Sequence, residues 1–143
     1  MRFVKILFKP SKKNLIKKLK KEHKVLLSLC VKIETNFQKQ KFGKTVKLLK
    51  KLKINFEEHI KSENEFLYPY LKSKYNKDIR IISFIEQKRK EIFKIKIIFE
   101  KFINEYKNTD SIKKKTFKED FDMINFILIR RIKFEEIKLY SYY

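Results

Sequence analysis

A histidine and a glutamate that could bind a metal ion together stand four residues apart, at His59 and Glu63. On a helix this spacing places both side chains on one face, one turn apart. A neutral imidazole and a carboxylate arranged in this way can bind one metal ion from a single helix. The pair alone does not identify a metal site, because histidine and glutamate also occur at this spacing by chance on exposed faces.

A second copy of the same pattern, later in the chain, strengthens the metal interpretation. When the two copies are aligned, Arg131 falls on His59 and Glu135 falls on Glu63. The flanking residues agree as well, pairing Ile60 with Ile132, Lys61 with Lys133, Leu67 with Leu139 and Tyr68 with Tyr140. The second copy therefore keeps the glutamate but has an arginine in place of the histidine.

The repeat extends to a histidine and an arginine outside these two segments. Apolar residues stand at the same offsets around His23 and Arg89. The matched positions are Leu15, Ile16, Leu19, Leu26 and Leu27 in the first segment and Ile81, Ile82, Ile85, Ile92 and Phe93 in the second. Lys88 is the next-best partner for His23, with poorer agreement of the offsets. The chain thus reads as two related helical pairs, with histidines in the first and arginines in the second.

The elements that carry these residues are predicted to be helices. The chain has one Gly and two Pro in 143 residues, which indicates long helices with few turns. Apolar residues recur at helical spacing in four segments, about 12–36, 44–74, 79–107 and 113–139. Residues 1–11 are predicted to form an N-terminal arm. Four amphipathic helices joined by short loops predict a single all-α domain, an antiparallel up-down-up-down four-helix bundle.

Two residues predict interruptions of the helical pattern. Gly43 marks a turn before the second helix, and Pro69 predicts that the backbone bends or ends around residues 65–69. In the predicted bundle, the histidines, arginines and glutamates of the repeat all point into the core near one level.

The net charge of +21 raises the question of a polyanionic partner. The lysines are spread from residue 5 to residue 138, and Lys, Ile, Asn, Phe and Tyr are frequent together while Ala, Gly, Pro and Trp are scarce or absent. This joint bias is typical of an AT-rich coding sequence. We therefore expect a generally basic surface with non-specific affinity for polyanions and no specific nucleic-acid site.

Other common functional signals are missing from the sequence. A single cysteine, Cys30, excludes an intramolecular disulfide and fits a reducing compartment. No stretch approaches the roughly 20 apolar residues of a membrane span. There is no nucleophile–base pair, phosphate-binding glycine loop or Cys-x-x-Cys motif. We expect a cytoplasmic protein without catalytic residues.

The pattern resembles the hemerythrin-like family, also called the His-His-Glu cation-binding domain. The most specific part is Glu22-His23 together with the segment from His59 to Pro69. The resemblance implies a four-helix bundle around non-haem iron, and it covers about residues 12–141. It implies as metal ligands His23, His59, Glu63 and Glu135. Glu136 could take the place of Glu135 if the last helix is rotated.

When the chain is aligned with the pattern of the family that it resembles, the histidines of a second iron would fall at Arg89 and Arg131. Arginine does not bind metal ions. We expect both guanidinium groups to occupy the second half-site and neutralise the glutamates. One iron ion then fits better than two, with zinc or no metal as alternatives. The implied function is to bind or sense dioxygen, nitric oxide or iron. The alternatives are a metal-free scaffold that binds other proteins, or a basic bundle that binds nucleic acid or anionic lipid.

Overall fold

Long helices make up the protein, seen in a computed structural model that describes residues 12–143, with side chains described from residue 14. Within this range no strand occurs. The helices are α1 (Lys12–Gln38), α2 (Phe42–Ser62), α3 (Tyr68–Lys74), α4 (Ile79–Glu105), α5 (Thr109–Ile112) and α6 (Phe117–Ile137). A π-helical turn, Glu63–Leu67, joins α2 to α3, and a 3₁₀ turn, Leu139–Tyr142, follows α6. The predicted arm at residues 1–11 lies outside the described residues.

The helices pack as a bundle. Helix α1 packs on α2 and α6, and α4 packs on α2, α3 and α6. Helices α1 and α4 therefore occupy opposite corners, and consecutive long helices run antiparallel because short loops join them. The predicted all-α four-helix bundle is confirmed. Among the described residues, no helix is both long and apolar enough to cross a membrane.

Two apolar clusters fill the interior, and a polar layer lies between them. The larger cluster includes Leu26, Phe56 and Phe99, and the smaller includes Leu19 and Leu67. Along α1 the buried His23 stands between Leu19 of the smaller cluster and Leu26 of the larger one. The polar residues of the repeat are thus enclosed by apolar packing on both sides, which lowers the local dielectric constant and strengthens their mutual interactions.

Two helix boundaries differ from the predicted positions. The first turn lies at residues 39–41, where Gln40 has a positive φ of 58°, and Gly43 already belongs to α2. The last helix starts at Phe117, after the separate short helix α5, which a reciprocal Asn108–Ser111 capping box starts. Neither difference moves the residues of the repeat.

Candidate metal centre

Four buried side chains from different elements converge in the polar layer. Helix α1 supplies His23, α2 supplies His59, the π-helical turn supplies Glu63 and α6 supplies Glu135. One donor atom from each residue lies within 4.8 Å of the others. Their exposed fractions are 0%, 2%, 0% and 1%. A group of two imidazoles and two carboxylates in so dry a place requires a compensating cation.

The spacing of the donor atoms fits a single ion. His23 Nε2 lies 3.0 Å from His59 Nε2 and 2.7 Å from Glu135 Oε1. His59 Nε2 lies 3.2 Å from Glu135 Oε1 and 3.5 Å from Glu63 Oε2. Ligands about 2.1 Å from a metal are roughly 3.0 Å apart in octahedral geometry and roughly 3.4 Å apart in tetrahedral geometry. The observed distances lie close to these values.

A carboxylate fixes each imidazole through its other nitrogen. His23 Nδ1 donates to Glu136 Oε2 at 2.8 Å, and His59 Nδ1 donates to Glu22 Oε1 at 2.8 Å. With the proton on Nδ1, the Nε2 atom of a neutral imidazole carries a lone pair. Metal-binding histidines are usually oriented in this way. Two such lone pairs 3.0 Å apart repel each other unless a proton or a metal ion lies between them.

The metal-free cluster meets this requirement with a proton. Burial alone would lower the pKa of His59, but its hydrogen bonds to Glu135, Glu22 and Glu63 outweigh burial and raise that pKa well above its usual value. Burial opposes ionisation of Glu135, yet hydrogen bonding with the imidazoles and the charge of Arg131 hold its pKa well below the usual range. Burial and repulsion from Glu135 raise the pKa of Glu63. The cluster therefore binds a proton as its compensating cation.

One buried oxygen is left without a partner by this protonated arrangement. Glu63 Oε1 has no hydrogen-bond partner among the described residues, although it is shielded from solvent. An unpaired buried carboxylate oxygen is costly. Together with the converging imidazole nitrogens, this oxygen shows that the donor set fits a metal ion.

The π-helical turn sets which residues after His59 face the site. The Tyr68 N–H donates to the carbonyl of Glu63, five residues earlier, so the turn contains one extra residue. Pro69, which follows at once, has no N–H with which to continue an α-helical pattern. As a result Tyr68 is buried on the same side as Glu63, and the bend predicted near Pro69 takes the form of this turn.

Arg131 lies beside the cluster, at a position where the sequence repeat predicts a second metal ligand. Its Nε donates to Glu135 Oε2 at 2.7 Å, and its Nη2 donates to the Tyr68 hydroxyl at 3.1 Å. The Arg131 side chain is 5% exposed. Glu135 therefore faces the histidines with one oxygen and a permanent cation with the other.

Arg89, by contrast, does not reach the second half-site, so its predicted place is wrong. Its side chain is 45% exposed and pairs with Glu86 at 3.6 Å. Arg89 stands on the same stripe of α4 as the buried Ile85, but a long arginine can keep its charged end in water. The alternative, Lys88, also stays at the edge, where it bonds to Glu91 and lies over the Phe84 ring.

Sequence reasoning gave no role to Glu22 or Tyr140, and it offered Glu136 only as a substitute for Glu135. Glu22 and Glu136 orient the histidines, and Tyr140 directs its hydroxyl at the cluster, donating to Glu63 Oε2 at 2.9 Å. Glu136 therefore supports His23 and does not replace Glu135. The signal for Tyr140 was its alignment with Tyr68 in the repeat, and the signal for Glu22 was its place immediately before His23.

Comparison with known families agrees with this geometry. A model of the hemerythrin HHE cation-binding domain matches residues 14–143. The chain belongs to the hemerythrin HHE family. No curated protein and no solved structure gave a match.

This hemerythrin family is described as a cation-binding domain, and the His/Glu cluster of the chain could hold a metal ion. The hemerythrin repeat is unequal here. The first helical pair contributes two histidines, and the second contributes Arg131 at the corresponding place.

Proposed function

We propose that this hemerythrin-like domain binds one iron ion through His23, His59, Glu63 and Glu135, and that it binds or senses dioxygen, nitric oxide or iron. One observation carries the proposal. The two Nε2 atoms and Glu135 Oε1 lie within 3.2 Å of one another, while carboxylates hold both Nδ1 atoms. Two histidines with carboxylates are a recognised donor set for iron.

A single ion is proposed because the second half-site lacks donors. The chain has only two histidines, and both point at the same place. Arg131 donates a hydrogen bond to Glu135 Oε2, the carboxylate oxygen that a second ion would need as a ligand. Its fixed positive charge disfavours another cation at this position.

The surroundings of the site favour small ligands. Bound iron would supply an open position for a small molecule. Apolar clusters on both sides exclude bulk water, and the four proposed ligands are at most 2% exposed. A surface cavity of about 360 Å³ has Arg131 and Phe134 in its wall. Arg131, which bonds to the proposed ligand Glu135, therefore also borders this cavity.

A metal-free scaffold is the second candidate, and one observation favours it. In the metal-free cluster, Arg131 and a protonated His59 balance the charges of Glu63 and Glu135, so the site holds together without a metal. A nucleic-acid or lipid surface is less well supported. Exposed lysines occur on each of the four long helices that the structure describes, as at Lys20, Lys50, Lys94 and Lys133.

The test is the metal content of protein purified under anaerobic, iron-supplemented conditions, compared with His59→Ala and with the exposed control Lys61→Ala. The proposal predicts about one iron per chain in the wild type and the control, and none in His59→Ala. Zinc in place of iron would contradict the choice of metal. Two irons per chain would show that second-repeat ligands were misplaced. No metal in any of the three folded proteins would favour the scaffold.

A further inference from the structure

We propose that Tyr140 is an additional metal ligand, which binds through its phenolate oxygen when the iron in the site is ferric. This inference rests on the proposed function, because it concerns the same site. It adds a residue that the His/Glu pattern does not contain, and it specifies the oxidation state of the iron that this residue binds.

The position of the Tyr140 oxygen carries the inference. Tyr140 Oη lies 2.9 Å from Glu63 Oε2, 3.2 Å from His23 Nε2 and 3.3 Å from Glu135 Oε1. Each of these atoms belongs to the proposed donor set. The three distances fall in the same range as those among the donors themselves and match neighbouring ligands around one ion, which are roughly 3.0–3.4 Å apart. Oη thus stands as a fifth donor of the same shell.

The Tyr140 ring is held firmly in this place. Its residue is 6% exposed, and its ring lies parallel to the His23 imidazole, with 5.6 Å between centroids and 8° between planes. The neighbouring Leu139 is fully buried, which anchors the 3₁₀ turn. A ligand held by packing needs little rearrangement when the ion binds.

Tyr68 shows what a buried structural tyrosine looks like in the same site. It is 2% exposed, and its hydroxyl accepts a hydrogen bond from Arg131 Nη2. The two tyrosines occupy equivalent positions of the sequence repeat, yet Tyr140 faces three proposed ligand atoms. The difference makes Tyr68 a matched control for Tyr140.

The charge of the phenolate favours the ferric state. The Glu63 and Glu135 carboxylates beside the Arg131 guanidinium leave one net negative charge, and a phenolate raises it to two. Each added negative charge stabilises a ferric ion more than a ferrous one. Tyrosine oxygen is a known ligand of protein-bound iron. Without a metal ion, the Tyr140 hydroxyl donates its hydrogen bond to Glu63. A bound cation would take the place of that proton.

Binding then exchanges one bond for another. The O–H bond of Tyr140 breaks, an oxygen–iron bond forms, and the proton leaves to the buffer. No electron is transferred in this step. Ferric loading should therefore release one more proton from the wild type than from Tyr140→Phe.

The experiment loads wild type, Tyr140→Phe and Tyr68→Phe with iron under anaerobic conditions, oxidises it with stoichiometric ferricyanide and removes unbound iron. Iron content, visible absorption and resonance Raman spectra are then recorded. We expect a phenolate-to-iron charge-transfer band in the wild type and Tyr68→Phe, and its complete loss in Tyr140→Phe. Ring-deuterated tyrosine in the wild type should shift the enhanced vibrations, a readout that needs no variant.

The outcomes separate this inference from the proposed function. Iron bound to the wild type without a phenolate band, or a band that persists in Tyr140→Phe, would overturn the role of Tyr140 and leave the iron site standing. Absence of bound iron from the wild type would overturn both.

Discussion

The ion pair between Arg131 and Glu135 offers a sharp test of the site without any metal. Replacing Arg131 by Met keeps most of the side-chain volume but removes the guanidinium. Glu135 Oε2 then loses its donor at 2.7 Å in a place where the two side chains are 5% and 1% exposed. Removing one partner of a buried pair leaves a buried charge uncompensated, which costs about 3–5 kcal/mol.

The matched control is Arg89→Met, which makes the same chemical change on the surface. The Arg89 side chain is 45% exposed and pairs with Glu86 at 3.6 Å. A pair of this kind contributes about 0–1 kcal/mol. For a domain of this size, the difference between the variants corresponds to roughly 10 °C in melting temperature.

The assay is urea unfolding of the metal-free proteins, followed by circular dichroism in the presence of a chelator. A loss in Arg131→Met no larger than that in Arg89→Met would refute the argument that the guanidinium neutralises Glu135. The double variant Arg131→Met, Glu135→Gln should recover part of the loss, because the unpaired charge is gone. The coupling energy should reach about 1–3 kcal/mol.

Three further predictions follow from the site and the core. Glu136→Gln removes the carboxylate that orients His23, so iron affinity should fall about 10–100-fold in chelator competition, whereas the exposed Glu119→Gln should leave it unchanged. Chelation of the metal should lower the free energy of unfolding by about 2.7 kcal/mol at a metal concentration of 100 Kd, and His59→Ala should show no such dependence. Burial raises the pKa of Cys30 to about 12, so at mildly alkaline pH its thiol should react with a disulfide reagent only after unfolding in urea; immediate reaction of the folded protein would contradict the packing around it.

The fold could be predicted from the sequence because helical periodicity is strong in every long segment. Core residues such as Leu52, Ile85 and Leu128 recur at helical spacing and are buried as that spacing requires. Helix ends were harder to predict from the sequence, because local hydrogen bonds such as those of the Asn108–Ser111 capping box determine them.

The site divides into parts that the sequence could and could not indicate. The repeat singled out four side chains that the structure brings together, and their binding of a metal stays a prediction. Arg89 was misplaced because periodicity fixes the direction of Cβ, whereas hydration decides where a long charged side chain ends. The π-helical turn adds a residue to the helical period, so Tyr68 lies on the site side. Contacts such as His59–Glu22 join different helices, and no spacing along the chain reveals them.

The polar layer joins residues that are far apart in the chain, and this has a consequence for biosynthesis. His23 and Glu135 are separated by 112 positions and meet at 2.7 Å. During translation, the segment with His59 and Glu63 is made long before Glu135 emerges from the ribosome. The early pair alone would bind an ion only weakly. The complete set of donors exists only after the last long helix has packed against the others. If the proposed site binds a metal ion, loading would therefore be a late event that reports on completed folding, and the bound ion would close a loop of more than a hundred residues.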